Sequence, residues 1–450
     1  MRVNRPLRAG GSLSAGPSLG SIARIRAAAV QTFESLAVRD FRILWWGFMG
    51  SWMAMQMQQV ARGYLAYKLT GNALSLGLVT LAMGLPRIVL SPAGGVMADR
   101  FAKRSVLLWT QLALGLIALF QAILVATNIM TINWLIVAGL FQGAAFAINM
   151  PARQAYIPQI VGRGDNLANA VSLNSAGMNF TRVVGPALAG VLIAVSFINL
   201  AGVYFLVAAC YIWVWLSIYR VENTGASVMK RGGVRGSLTD GFRYIWRKPA
   251  LLVLMSLGFI PLAIGMPYLS LMPVVALGSL HLGSTGLGVL LTVAGVGALV
   301  GTLAIAYLAR YPNKRQLQLA LGVLFGLTLV GFAYFVRQDE LILALPFLFL
   351  TGMAGDAYQA LNSALIMMNT DEAVYGRVMG VYMVAQSIRP ITVLPISAIA
   401  DAITTPLTLL FSGGFCAAFV GGLAAFYPGY RHIGDAAPVV EEAVSAVRAD

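Results

Sequence analysis

Charged residues are scarce in this chain, and that scarcity excludes most soluble folds. Of the 450 residues, 59% are hydrophobic and only 10% are charged, whereas an ordinary soluble domain carries about 25% charged residues. A soluble protein of this composition would have too few polar side chains to cover its surface. Apolar runs of about 20 residues recur along the whole chain, and each is long enough to cross a bilayer. The composition therefore predicts a polytopic helical membrane protein.

Cysteine and histidine are almost missing, with two residues of each type. None of them is spaced like a metal ligand, and no disulfide framework is indicated. The chain also lacks a Gly-x-x-x-x-Gly-Lys loop, so it has no ATP-binding P-loop. Membrane enzymes need clustered histidines, a Ser/His/Asp set or paired carboxylates at depth, and the spans hold only a lone aspartate. We therefore expect no metal, no cofactor and no enzymatic activity.

Acidic residues are also few, and the basic excess orients the chain. There are 31 Lys and Arg against 16 Asp and Glu, a net charge of +15. If the N-terminus is cytoplasmic, only Lys68 and Arg337 fall in outer loops. This asymmetry is typical of inner loops and predicts that both termini and the long central loop are cytoplasmic, in the inner or plasma membrane. The same explanation leaves no reason to expect a nucleic acid partner. Four further basic residues lie inside predicted spans: Arg62, Arg87, Arg182 and Arg389.

The hydropathy predicts an all-α fold of twelve spans in two halves of six. The spans are predicted at 43–66, 73–97, 105–127, 131–150, 168–194, 199–219, 251–276, 285–309, 316–336, 341–368, 378–400 and 404–427. They divide the chain into five regions: a basic tail at 1–42, a first half at 43–219, a central loop at 220–250, a second half at 251–427 and a tail at 428–450.

The two halves repeat each other. Gly143 and Gly352 align at the same separation as Pro186 and Pro395. The segment "ADRFAKRSVLL" after the second span is echoed by "LARYPNKRQLQL" after the eighth. Two halves of six spans related in this way are typical of a transporter whose site lies between them.

The segment "GGVMADRFAKR" lies at the predicted cytoplasmic end of the second span. Its residues of interest are Gly95, Asp99, Arg100, Lys103 and Arg104. The glycine permits close helix packing, the carboxylate suits the amides at the start of an opposing helix, and the cations keep the loop inside. We interpret the segment as a latch that closes one face of the protein. The alternative is a plain loop whose charges only orient the chain.

This segment resembles the loop motif of the major facilitator superfamily, with Ala102 where the family prefers glycine. The likeness covers the whole chain, and "NMPARQAYIPQIVGRGDNLANAVSLNSAGMNFTRVVGPALAG" is similar to the branch called transmembrane secretion effectors, which includes enterobactin exporters. In that family the loop carboxylate contacts the start of the eleventh span, here "YGRVMG". The resemblance thus implies Arg377 as the partner of Asp99.

The segment "RVVGPALAG" resembles the fifth-span motif of drug/proton antiporters through Gly185, Pro186 and Gly190. Proline removes an amide hydrogen bond and bends a helix, and glycine permits close packing on a partner. We interpret the three residues as a hinge between the halves. A proline kink without a role in transport is the alternative.

Side chains inside the spans predict the transport site. A carboxylate in hydrocarbon is costly and marks a proton or substrate path by default, so we predict that Asp356 couples protons, or else neutralises a nearby arginine. Arg182 and Arg389 are candidates for binding an anionic group. Gln56 and Gln59 share a helix face that suits a cavity wall, and Tyr358 is a candidate for an apolar lining. Packing alone is the alternative for these last residues.

Together these features predict a proton antiporter that exports a small organic molecule by alternating access. The substrate is expected to be drug-like or siderophore-like, and the arginines slightly favour negative charge. Protons, the substrate and the lipid bilayer are the expected partners of a monomer. An importer of the same fold, and a sensor or scaffold that does not transport, remain the alternatives.

Overall fold

A computed structural model describes residues 34–162, 165–221, 234–308, 311, 313–371 and 374–426. These residues are almost entirely helical. The first six long helices are α1 (Arg39–Thr70), α2 (Ala73–Arg100), α3 (Lys103–Ala126), α4 (Ile132–Val161), α5 (Asp165–Ala194) and α6 (Asn199–Arg220). The shorter α7 (Val234–Arg247) follows. The remaining helical segments are α8 (Pro249–Ser279), α9 (Gly283–Tyr307), α10 (Lys314–Arg337), α11 (Leu341–Met368), α12 (Tyr375–Ile403) and α13 (Thr405–Phe426).

The predicted all-α membrane fold is confirmed, and the span count is confirmed for eleven of the twelve spans. Eleven helical segments of the described chain, all of those above except α1 and α7, are long and apolar enough to cross a membrane. Helix α1 has 32 residues, and charged residues at its start and three glutamines within it make it less apolar than the others.

The predicted tails at 1–42 and 428–450 lie mostly or wholly outside the described residues. Within residues 34–42, a short 3-10 helix spans Glu34–Ala37 and α1 already begins at Arg39. Residues 222–233 of the predicted central loop are also outside them, whereas 234–247 form α7.

Prolines interrupt two of the spans in the second half. In α8, π-helical turns occupy Pro261–Gly265 and Val275–Ser279 on either side of the α-helical turn Tyr268–Val274. Helix α12 is interrupted at Ile388, directly before Arg389 and Pro390. Proline cannot donate an amide hydrogen bond and its ring clashes with the preceding turn, which accounts for both breaks.

Glycines set the close contacts inside each half in equivalent places. Gly143 of α4 lies against the backbone of Met83 in α2, and Gly352 of α11 lies against the backbone of Ala294 in α9. A Cβ on Gly143 would meet the Met83 Cα at 3.2 Å, and a Cβ on Gly352 would meet the Ala294 Cα at 3.2 Å. These matching contacts are what the sequence repeat predicts.

The halves meet through two helix pairs, α5 with α9 and α2 with α12. On the first pair, a Cβ on Gly190 would stand 2.7 Å from the Gly288 Cα, so only glycine permits this approach of the two backbones. On the second pair, a Cβ on Gly77 would stand 3.0 Å from the Ser397 Cβ. Small residues therefore bring the halves together at both interfaces.

The contact of α11 with α9 can be tested at Gly352. We expect Gly352→Ala to lower the free energy of unfolding by about 1–3 kcal/mol, because the methyl group must displace the α9 backbone. The measurement is thermal unfolding of the purified protein in detergent.

Gly414→Ala is the matched control, because no atom lies within 4 Å of a Cβ at that position. There the change should leave the melting temperature unchanged or raise it slightly, since alanine favours a helix over glycine by about 0.5–1 kcal/mol. Equal melting temperatures for the two variants would contradict the close packing of α9 and α11.

Candidate functional site

A cavity of about 420 Å³ lies between the two halves. The first half contributes Gln59 and Arg62 of α1 and Arg87 of α2, and the second half contributes Ser270 of α8 with Gln386 and Arg389 of α12. Sequence analysis predicted Gln59 and Arg389 for such a site, and the structure brings both to the wall. The break in α12 at Ile388 places Gln386 and Arg389 on the cavity from either side of it.

A single ion pair joins the halves at the level of the cavity among the described residues. Arg182 of α5 donates two parallel hydrogen bonds to Asp356 of α11, from Nη1 to Oδ1 at 3.1 Å and from Nη2 to Oδ2 at 2.8 Å. The two side chains are 36% and 22% exposed, so the pair is only partly buried. This two-pronged geometry is the strongest form of an arginine–carboxylate contact. The residue predicted for protons and a residue predicted for substrate are therefore bonded to each other.

Arg62 is held in the cavity wall by a buried chain of glutamines that sequence analysis did not find. Its Nη1 donates to Oε1 of Gln142 at 2.7 Å. The amide of Gln142 donates to Gln58, and the amide of Gln58 donates to Oε1 of Gln121 at 2.8 Å. These bonds hold the Arg62 guanidinium toward the interior of the first half. The three glutamines are fully buried. Amide side chains inside a predicted span are the sequence signal that could have indicated this chain of hydrogen bonds.

A carboxylate from the second half joins the two halves at one face of the bundle. Asp401, near the end of α12, accepts hydrogen bonds from the first backbone amides of α2, Ala73 N at 2.6 Å and Leu74 N at 2.7 Å. The positive end of the α2 dipole favours an anion there. We call this side of the molecule the Asp401 face. Sequence analysis missed this contact because the partner amides lie more than 300 residues away.

The residues predicted as a hinge lie where α5 packs on its neighbours, Gly185 against α1 and both Pro186 and Gly190 against α9. A Cβ on Gly185 would meet the Gln56 Cβ at 2.6 Å, so Gln56 packs on α5. The carbonyl of Pro186 would lie 3.0 Å from a Cβ on Gly288, next to the Gly190 contact. The three residues therefore allow α5 to approach both α1 and α9. Their role as a hinge stays a prediction.

The residues predicted as a latch lie on the opposite face, where α2 ends. Arg100 is the exposed last residue of α2, and Lys103 begins α3 and is buried. Arg104 donates to the carbonyl oxygens of Ile218 at 3.3 Å and Tyr219 at 2.6 Å. These bonds tie the loop to the end of α6, where the helix dipole favours a cation. The structure describes neither the side chain of Asp99 nor the surroundings of Gly95, so their role in a latch stays a prediction.

Arg377 lies beside Asp240, and the contact with Asp99 that the resemblance implied stays a prediction. Its Nη1 lies 3.6 Å from Oδ2 of Asp240 in α7. Both side chains are about half exposed, so the pair contributes little to stability. Next to it, the Tyr244 hydroxyl donates to Asp371 at 2.6 Å and the Lys248 ammonium lies 3.1 Å from the same carboxylate. These two donors hold the pKa of Asp371 below its usual range.

Tyr358 does not lie on the cavity that the structure describes. It is 1% exposed, and its hydroxyl donates to the Leu257 carbonyl oxygen at 2.8 Å. In this conformation Tyr358 packs between α11 and α8, and its role as a lining residue stays a prediction. Aromatic residues in spans give no sequence signal that separates the two roles.

A family model described as "Transmembrane secretion effector" matches residues 30–431 of the chain. The chain matches curated relatives over most of their length. The multidrug efflux pump Tap of Mycolicibacterium fortuitum is 26% identical over 83% of this chain and 92% of its own. The staphyloferrin A transporter of Staphylococcus aureus is 23% identical over 79% of this chain and 87% of its own. The enterobactin exporter EntS of Citrobacter koseri is 26% identical over 75% and 77%.

Solved structures share the fold at low identity. A bacterial homologue of the iron transporter ferroportin, in an inward-facing state, superposes with a TM-score of 0.68 at 14% identity and covers 88% of this chain and 98% of its own. The D-xylose–proton symporter superposes with a TM-score of 0.65 at 13% identity over 88% and 98%. The relatives are transporters, as the absence of catalytic clusters predicted. The chain therefore belongs to the transmembrane secretion effectors, a family of multi-pass transporters within the major facilitator superfamily.

Proposed function

We propose that the protein exports a small organic molecule from the cytoplasm in exchange for protons. The observation that carries the proposal is the Arg182–Asp356 pair, because it is an ionisable bond between the two halves that must move in alternating access. Relatives described as an efflux pump and as an enterobactin exporter support the outward direction. An importer would use the same cavity, and no contact in the described residues favours it.

The contacts between the halves support a conformation closed at the Asp401 face. Hydrogen bonds between the halves among the described residues join Asp401 to the start of α2, Arg182 to Asp356, and Thr292 to the Val183 carbonyl. All of them lie between the Asp401 face and the middle of the spans. With cytoplasmic termini, as the basic loops predict, the Asp401 face is external. The conformation is then the one that takes up substrate from the cytoplasm.

Protonation of Asp356 would change the balance between conformations. A neutral carboxyl no longer neutralises Arg182, so the protonated protein loses a bond that holds the halves together in this conformation. A proton can bias a switch only if it favours one conformation over the other. A proton taken up from outside thus competes with closure of the Asp401 face, and its release to the cytoplasm restores the pair.

The role of Asp401 as an external closure can be tested by labelling. In a variant with Cys210 and Cys416 replaced by alanine, Ser270→Cys places a thiol on the cavity wall. A membrane-impermeant maleimide added to intact cells should label this thiol slowly. Adding Asp401→Ala should raise the rate about fivefold to tenfold, because two charge-assisted hydrogen bonds are lost.

Glu340→Ala is the matched control for Asp401→Ala. Glu340 is an exposed carboxylate at the start of α11, on the same face, and its side chain makes no capping bond. This control should leave the labelling rate unchanged. Rapid labelling of the parent from outside, or equal rates with and without Asp401, would contradict external closure.

Asp356→Asn tests the proton coupling. Everted vesicles with an acidic interior should accumulate, through the parent protein, some members of a panel of dyes, antibiotics and organic acids. The variant should lose that accumulation and keep exchange of the same compounds, because an amide cannot carry a proton. Its melting temperature should fall only modestly. The pair is partly exposed, so the loss should be smaller than the roughly 3–5 kcal/mol of a fully buried pair.

Asp371→Asn is the control, since that carboxylate lies in a loop and binds Tyr244 and Lys248. It should leave accumulation intact. Full gradient-driven accumulation by Asp356→Asn would exclude this carboxylate from coupling. A variant that loses both exchange and thermal stability would reduce the pair to a structural contact.

A further inference from the structure

The cavity carries more positive charge than its surroundings neutralise. Arg62, Arg87 and Arg389 all line it, and Arg182 lies beside it. Asp356 neutralises Arg182, and none of the other three forms a salt bridge within the described part of the chain. Of the sixteen acidic residues, Asp356 is the one that lies midway along a described span. Three arginine charges are therefore left without a carboxylate.

The three arginines form one positive region that reaches across both halves. All three line one cavity of about 420 Å³, so their charges act on one another across it. Arg62 and Arg87 belong to the first half, and Arg389 belongs to the second. Like charges gathered inside a membrane protein repel each other and are costly unless water or an anion compensates them. A ligand with several negative charges would remove that cost.

The remaining groups on the wall suit carboxylates. Gln59, Thr80, Ser270 and Gln386 add amide and hydroxyl groups that can donate or accept hydrogen bonds. A guanidinium presents a planar pair of donors that fits a carboxylate, and the Gln58–Gln142 chain holds one of the three in place. The volume of about 420 Å³ suits a small organic molecule.

We propose that the cavity binds a small organic acid with at least two carboxylates, held by Arg62 and Arg87 from one half and Arg389 from the other. Such a ligand touches both halves, so its binding depends on their separation. That this acid is the transported substrate rests on the proposed export function. The binding site itself follows from the three unneutralised arginines.

Thermal unfolding of the full-length protein in a neutral detergent tests the binding. The probe is tricarballylate, which has three carboxylates, compared with its uncharged trimethyl ester and with inorganic phosphate at constant ionic strength. Tricarballylate should raise the melting temperature in a saturable manner, since a ligand that binds only the folded state stabilises it. The ester and phosphate should not. Equal shifts with the ester or with phosphate would overturn the proposal.

Substituting the arginines one at a time tests which of them bind the ligand. Arg87→Gln and Arg389→Gln should each weaken tricarballylate binding by about tenfold or more, because each removes a charge-assisted contact. The affinity of Arg389→Lys for tricarballylate should lie between those of Arg389→Gln and the parent, because lysine keeps the charge without the planar donor pair. Arg337→Gln, an exposed arginine outside the cavity, is the control and should bind like the parent. Unchanged binding in both glutamine variants would overturn the site.

Transport separates this proposal from the function on which it rests. If tricarballylate binds through the arginines but everted vesicles do not accumulate it, its export is refuted and the binding site stands. Accumulation of uncharged compounds by a protein that does not bind tricarballylate would refute the anion site and keep export.

Discussion

The architecture depends on how each ionised side chain inside the bundle is compensated, because hydrocarbon offers none of the solvation that water gives. Arg182 uses a carboxylate of the opposite half. Arg153 uses the face of the Phe48 ring at 3.8 Å and of the Trp52 ring at 4.4 Å, with a hydrogen bond to the Phe48 carbonyl oxygen. Arg62 uses the glutamine chain. The first contact joins the two halves, whereas the other two lie within the first half.

The contacts within each half differ in kind from the contacts between the halves. The aromatic and glutamine contacts lie within one half, and the glycine contacts at Gly143 and Gly352 fix the helices of each half against each other. The contacts between the halves are of another kind. They combine close backbone approaches at Gly190 and Gly288 with hydrogen bonds at three places: Asp401, Asp356 and Thr292. Few polar bonds need to break for the halves to separate, which suits a protein that rocks between two conformations.

The sequence predicted the fold well because hydropathy and loop charge can be read from continuous stretches of about 20 residues. It also predicted that Asp356 is either a proton carrier or the partner of an arginine, and the structure pairs it with Arg182. Contacts between distant segments were harder to predict. Asp401 reads as an ordinary loop residue until α2 is placed beside it, and Gln58 reads as packing until Gln121 and Gln142 meet it. The contacts of Tyr358 with Leu257 and of Arg377 with Asp240 were not predicted for the same reason, because residue type alone does not fix a partner.

The central claim is that protonation of Asp356 loosens the closed Asp401 face. Its most direct test is the distance between spin labels at Ile129→Cys and Ile342→Cys, exposed positions on that face in opposite halves, measured by pulsed electron paramagnetic resonance with Cys210 and Cys416 replaced by alanine. Acidification should shift the parent toward longer distances. Asp356→Asn should show the longer distances at every pH. A distance distribution in the parent that does not respond to pH, or an Asp356→Asn variant that titrates like the parent, would contradict the account.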